Sequence, residues 1–172
     1  SMATEALLAD GAPMERGSNI ARLKGSKASI LMGERLALNF LQHLSGIATA
    51  TATYVKAVEG TGARIIDTRK TIPGLRALQK YAVRAGGGRN HRQNLGDGIL
   101  IKDNHIAALR VQELSLGAII HRARENTPHT LRIEVEVETV DEAMEALEAH
   151  ADTILLDNMS LEEMRQVVTL AQ

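Results

Sequence analysis

No cysteine, no tryptophan and one phenylalanine occur among the 172 residues. Without thiols there can be no disulfide framework, thiolate nucleophile or Cys-ligated zinc. The aromatics are Phe40, Tyr54 and Tyr81, so the core has to come from Leu, Ile, Val, Ala and Met. The stacking platforms that single-stranded nucleic-acid binders use are missing too, which argues against a nucleic-acid partner. No apolar run approaches the roughly 18 residues that span a bilayer, and no secretory signal is visible. A soluble chain in a reducing cytoplasm is the expectation. Domain linkers, low-complexity tracts and internal repeats are also missing. Ser1-Met2 reads as an expression scar.

What is present is ordinary in amount and unusual in distribution. Hydrophobic residues make up 44% and charged residues 24%, enough for one domain with a substantial core or a domain plus part of another. The formal net charge is -1, yet the span from Arg64 to Lys102 holds nine Lys/Arg against Asp67 and Asp97, a local +7. The remaining residues carry -8. Such segregation points to a polyanionic ligand near this stretch, with plain surface solvation as the alternative.

Residues 5–25 read as two short strands, EALLAD and NIARL, separated by an Asp10-Gly11 turn. From Ser26 the pattern turns helical. Ala37, Leu38, Leu41, Leu44 and Ala48 share a face, and Ser45-Gly46 predicts a break into helices over 26–44 and 46–59. Four strand-then-helix units follow: ARIID, GILIK, RIEVEVE and TILLD, each leading to an apolar-periodic helix. Alternation of this kind predicts an α/β fold with a parallel sheet, left open or curled into a barrel. Boundaries of 1–60 for a first sheet-and-helix part and 61–172 for an α/β part follow.

Every strand ends in a polar cluster, and the carboxyl ends of parallel strands are where such folds bind ligands. Arg69, Lys70, His91, Arg92 and Lys102 form a cationic set fitted to a dianion or a pyrophosphate. Arg76, Lys80 and Arg84 read as the outer face of the connecting helix. Glu136 and Asp157 are predicted at equivalent ends of adjacent strands, where they would serve as acid and base, carry magnesium, or pair with nearby cations. Periodicity does not choose among Glu134, Glu136 and Glu138. Gly86-Gly87-Gly88 fits a helix C-cap with a flexible lead better than a phosphate loop. His43, His121, His129 and His150 read as structural or solvated.

ERLALNFLQHLSGIAT, DTRKTIPGLRALQKYAVRAGGGRNHR, LIKDNHI, EVEVE and LLDNMS, in that order, resemble quinolinate phosphoribosyltransferase, the carboxylating nicotinate-nucleotide pyrophosphorylase. The similarity runs from about residue 7 to the end. Related nicotinate phosphoribosyltransferases do not combine the DTRK, NHR and KDNH motifs.

The resemblance implies a partial (β/α) barrel preceded by a remnant of an α+β N-terminal domain. The implied reaction joins quinolinate to phosphoribosyl pyrophosphate with magnesium, giving nicotinate mononucleotide, carbon dioxide and pyrophosphate for NAD biosynthesis. It assigns the quinolinate carboxylates to Arg69, His91 and Arg92, with Thr68, Lys70 and Lys102 in the same anionic pocket. Glu136, selected over Glu134, and Asp157 would hold the ribose and metal-pyrophosphate part. Lys70, Lys102, Glu136 and Asp157 are the implied catalytic set, and Arg35 would reach the neighbouring subunit of a homodimer.

Relative to the family pattern, this sequence lacks most of the N-terminal domain and the C-terminal segments that cradle the 5′-phosphate. Gln93-Asn94 replace a commoner hydrophobic-Gly pair. A non-catalytic fragment or pseudo-enzyme, retaining a dicarboxylate pocket and dimer surface, is the alternative.

Overall fold

The computed structural model describes residues 2–172, which form two compact units divided between residues 93 and 94. Mixed α/β is the fold class. In the first unit, β1 (Ala3–Ala6) pairs antiparallel with β2 (Ala21–Lys24), with Ala3 opposite Lys24. These strands are shorter than the sequence pattern suggests and lie a few residues from the expected limits.

A single helix follows, α1 (Lys27–Ala57), capped by the Ser26 hydroxyl, which accepts from Ser29 N at 3.2 Å. The expected break at Ser45-Gly46 does not occur. Glycine weakens a helix interior by about 1 kcal/mol but ends it only by leaving helical dihedrals. Gly46 keeps them, whereas Gly60, just past the helix, has φ 82°.

Helix α2 (Arg76–Ala85) packs on α1. The period of Leu75, Leu78, Ala82 and Ala85 suggests one apolar face; Ala82 is buried and Leu75 and Ala85 half-buried, but Lys80 is buried with Gln79 and Val83 half-buried beside it, and Leu78 is exposed. Gly86-Gly87-Gly88 closes α2 as the C-cap reading expects. Gly87 N donates to Arg84 O and Gly88 N to Val83 O, with Gly87 at φ 86°. The glycines have a second use. A Cβ on Gly86 would stand 2.3 Å from Ala48 O, and one on Gly88 2.8 Å from Thr51 Cγ2. Only bare backbone lets α1 pass this closely, a packing reason that the sequence pattern does not carry.

The ARIID segment is not a regular strand. Ile66 makes an isolated parallel bridge to Arg89, with Arg89 N to Ile65 O at 2.8 Å and Asp67 N to Arg89 O at 3.1 Å. Of the four expected strands, three are regular.

Those three lie in the second unit: β3 (Ile99–Ile101), β4 (Ile133–Val137) and β5 (Thr153–Leu156), parallel and in the order β3-β4-β5. Helices α3 (Asp103–Arg110), α4 (Leu116–Glu125), α5 (Val140–Glu148) and α6 (Leu161–Leu170) connect and follow them. The stretch directly after β3 is therefore helical over α3. Lys102 N donates to His105 Nδ1 at its start. Side chains alternate along β4: Ile133, Val135 and Val137 are buried, Glu134 and Glu136 half-buried. One cluster of Ile101, Leu116, Ile120, Val135, Ala143 and Val167, with their neighbours, forms the core. Among the described residues no helix is long and apolar enough to cross a membrane.

Candidate functional site

In the first unit the site is built around an aspartate that the sequence reading passed over. Asp67 ends the bridged segment, just before Thr68-Arg69-Lys70. Its carboxylate pairs with Lys80 Nζ and accepts from Asn90 Nδ2 at 2.5 Å and from the His91 backbone N–H at 2.8 Å. Lys80 Nζ also donates to His91 O at 3.2 Å, and Asn90 Nδ2 to Lys80 O at 2.8 Å. DTRK and NHR are thus tied through one knot. The expectation that Lys80 belongs to the outer face of α2 is wrong, since the residue is 2% exposed. Its four-carbon stem spans the packed interior and delivers the ammonium to an acid and a carbonyl, which makes burial tolerable.

Arg76 is also misplaced by the sequence reading. It turns inward, and its guanidinium donates to Thr71 Oγ1 at 3.2 Å, Gln93 O at 3.1 Å and Arg69 O at 3.4 Å. Arg84 is exposed as expected, 5.6 Å from the Tyr81 ring centroid.

Local hydroxyls shape the Thr68–Lys70 loop. Lys70 N donates to Thr68 Oγ1 at 3.1 Å and Thr71 N to Arg69 O at 2.9 Å. Gln79 braces the next residues: its Oε1 accepts from Ile72 N, and its amide nitrogen meets His43 Nε2 at 2.9 Å. A cavity of about 280 Å³ opens here, lined by Ile47, Asp67, Thr68, Lys70, Thr71 and Gln79 among others. Of the predicted site residues, Thr68 and Lys70 line it. A larger cavity of about 520 Å³, beside Lys56, Arg64 and Arg89, contains none of them. Arg35 lies on an exposed stretch of α1 between Met32 and Leu36, both strongly exposed.

In the second unit Lys102 and Glu136 meet across neighbouring strands. The register pairs Ile101 with Val135, so the next residues fall side by side, with Lys102 Nζ 2.8 Å from Glu136 Oε2. The Glu136 side chain is 10% exposed and that of Lys102 41%, so one end of the pair is accessible. Glu138 lies past the end of β4 and exposed.

Asp157 follows β5, and its N donates to Val137 O at 2.9 Å. Its carboxylate accepts from Asn158 Nδ2 at 3.1 Å, and Asn158 sits at φ 53°, a left-handed position that asparagine tolerates. Glu136 stands opposite Leu155, so the two carboxylates are not at equivalent ends. They share a sheet face, offset by two residues or roughly 7 Å along the strand.

Hard carboxylate oxygens suit magnesium, which commonly takes one or two of them together with substrate phosphates. Among the described residues no group of three or more His, Asp or Glu forms a metal cage. Glu136 and Asp157 supply carboxylate donors of that kind.

The remaining histidines read as structural or solvated are so placed. His43 braces Gln79, His121 lies 3.5 Å from Glu125, and His129 is exposed. His150 follows α5 at φ 57°, with its carbonyl accepting from Arg124.

Comparisons with known proteins converge on one family. Residues 1–45 match the family model for the quinolinate phosphoribosyl transferase N-terminal domain, and residues 47–172 that for its C-terminal domain. The probable nicotinate-nucleotide pyrophosphorylase [carboxylating] of Bacillus subtilis is 48% identical over 164 residues, covering 94% of this chain and 54% of that protein. The human nicotinate-nucleotide pyrophosphorylase [carboxylating] is 39% identical, covering 95% of this chain and 54% of its own. Among solved structures, NadC from Streptococcus pyogenes superposes with a TM-score of 0.91 at 48% identity, covering 99% of this chain and 59% of that one. The chain spans about half the length of the curated relatives it matches.

Proposed function

Because this chain belongs to the quinolinate phosphoribosyl transferase family, we propose that it serves phosphoribosyl transfer to quinolinate with decarboxylation. The products are nicotinate mononucleotide, carbon dioxide and pyrophosphate, for NAD biosynthesis. The observation that carries this reading is the Asp67 knot, which ties the Arg69-bearing loop to the loop bearing His91 and Arg92. Guanidinium forks held in this way suit the two carboxylates of a small dianion.

The remaining roles extend the same reading. Thr68 and Lys70 border the cavity beside that loop, where Lys70 adds a point charge for an anion. Glu136, held by Lys102, and Asp157 are the carboxylates that would stabilise the cation-like anomeric carbon as pyrophosphate leaves. Magnesium, when bound at Glu136 and Asp157 together with the pyrophosphate, supplies charge neutralisation for the leaving group. Once the ring nitrogen is alkylated, its positive charge stabilises the electron pair left by the departing carboxylate. The residues then mainly hold one anion beside another.

Residues 1–60 are read as the sheet-and-helix part of the N-terminal domain and 61–172 as the barrel part. We also propose a homodimer in the cytoplasm, with Arg35 reaching the neighbouring site; for the dimer, the support is the apolar, exposed surface around Arg35 on α1, where Met32 is 84% and Leu36 63% exposed.

The test is a single reaction. The chain is incubated with quinolinate, phosphoribosyl pyrophosphate and magnesium, and nicotinate mononucleotide and carbon dioxide are quantified. Equimolar appearance of both is expected. Absence of product with calorimetric binding of quinolinate would replace this reading by dicarboxylate binding without turnover. Absence of both would remove it.

A further inference from the structure

We infer that Asp67 and Lys80 are positioning residues for the dicarboxylate site, fixing the His91-Arg92 loop by gripping the His91 residue at both ends. The inference rests on the quinolinate reading above. The His91 N–H is donated to the Asp67 carboxylate at 2.8 Å and the His91 carbonyl accepts from Lys80 Nζ at 3.2 Å. Its two flanking peptide planes are therefore held by one ion pair. Asn90, the residue before, is bound to the same carboxylate and to the Lys80 carbonyl. Asp67 meanwhile is the residue before Thr68-Arg69-Lys70, so a single side chain sets the spacing of the two loops.

The pair does not contact the ligand itself as its main task. The Lys80 and Asp67 side chains are 3% and 7% exposed, and their polar atoms are engaged with each other and with the loop. Nor is a buried ion pair an efficient source of stability, because an apolar pair of similar volume is often at least as stable. An apolar pair, however, has nothing to bind a backbone N–H and C=O. What the charged pair supplies is geometry, and geometry is what bidentate carboxylate recognition by arginine demands. A displacement of about 1 Å at such a site can cost roughly 100-fold.

The experiment titrates quinolinate calorimetrically into the wild-type chain, Lys80→Met, Asp67→Asn and the double variant, with a thermal melt of each. Both single variants are expected to bind about 10-fold or more weakly while still folded. The double variant should regain part of the loss, since the amide introduced by Asp67→Asn keeps an oxygen for the His91 N–H and no charge is left unpaired. Single variants that melt earlier but bind with wild-type affinity would overturn the inference, because a merely structural pair behaves that way. Should the single variants not fold, amide exchange of the wild type decides. The His91 N–H should be protected like the helix interiors, and exchange at the rate of an open loop would overturn the clamp. A wild type that fails to bind quinolinate removes the function reading, and the exchange rate still judges the clamp separately.

Discussion

In residues 94–172, twelve apolar side chains form one buried cluster beneath a parallel sheet. In residues 2–93 the buried side chains are Thr51, Lys80 and Ala82, and the tightest contacts are hydrogen bonds. Volume holds the first of these, and directional polar contacts hold the second. A core of Ile, Leu and Val accepts substitutions that keep its volume. A knot such as Asp67–Lys80–Asn90–His91 accepts almost none, since each partner left alone is a buried unsatisfied group. The half whose order depends on direction is the half that carries Arg69, His91 and Arg92.

The largest effect should come from breaking the knot on one side only. Lys80→Ala leaves the Asp67 carboxylate buried without its cation, a loss of about 3–5 kcal/mol. Urea unfolding would measure it. Replacing both partners by apolar residues (Asp67→Leu with Lys80→Met) should recover only part of that stability, because the His91 N–H, the His91 carbonyl and the Asn90 amide lose their partners, and should not restore quinolinate binding. If the double replacement regained full stability, volume would hold this half as well and the contrast between the halves would lose its basis.

The matching test in the other half is Ile120→Ala, at a position with no exposed surface under α4. Lost transfer energy and the remaining cavity predict about 2–5 kcal/mol. A volume-conserving Ile120→Leu should cost less than about 1.5 kcal/mol. Urea unfolding of the two variants gives both values, and equal losses would mean that shape rather than volume governs this core.

The same contrast explains what was legible in the sequence. Leu116, Ile119 and Ile120, and the alternation of Ile133, Val135 and Val137, announce their burial by period and polarity, and the structure buries all six. Lys102 and Glu136 were readable as strand-end charges, and a parallel register was enough to bring them together.

Lys80 and Arg76 were not readable in this way, because hydropathy treats a cation on a helix as solvent-facing. Their burial depends on acceptors 13 and 17 residues away, at Asp67 and Gln93. Asp67 carried a usable signal, as one of two acids in a block of nine cations. Gly86 and Gly88 looked like a cap and are also a passage for α1, which only the contact with Ala48 and Thr51 reveals. Leu78, apolar and periodic, is exposed because α2 turns its polar arc inward.

A smaller, pH-dependent effect separates the halves on the acid side. The Asp152 carboxylate accepts from Ile133 N at 2.8 Å and pairs with Arg124 at 3.0 Å. The backbone hydrogen bond, then Arg124, hold its pKa below the ordinary carboxylate value, against a modest opposing effect of burial. With the folded pKa below the unfolded one, the stabilisation is complete above about pH 4 and is lost as pH falls through the depressed folded value. Asp152→Asn should therefore flatten the acid limb of stability against pH for residues 94–172. An unchanged acid limb would show that other carboxylates dominate it.

The smallest expected effect is an exposed counterpart of the Asp67 knot. Tyr81 OH donates to the Asp10 carboxylate, joining the turn after β1 to α2. That hydrogen bond first, then the Asp10 charge and slight burial, raise the phenol pKa above its usual 10, while Arg84 opposes them. With the folded pKa raised, the contact contributes fully below about pH 10 and is lost as pH rises through the folded value. In a Tyr54→Phe background, absorbance titration should find Tyr81 ionising late, and Asp10→Asn should bring it back toward 10 with little change in melting temperature. This pair and Asp67–Lys80 are both polar contacts of the first unit, and they differ chiefly in burial. A melting loss for Asp10→Asn as large as that for Lys80→Ala would mean that burial is not what makes the knot matter.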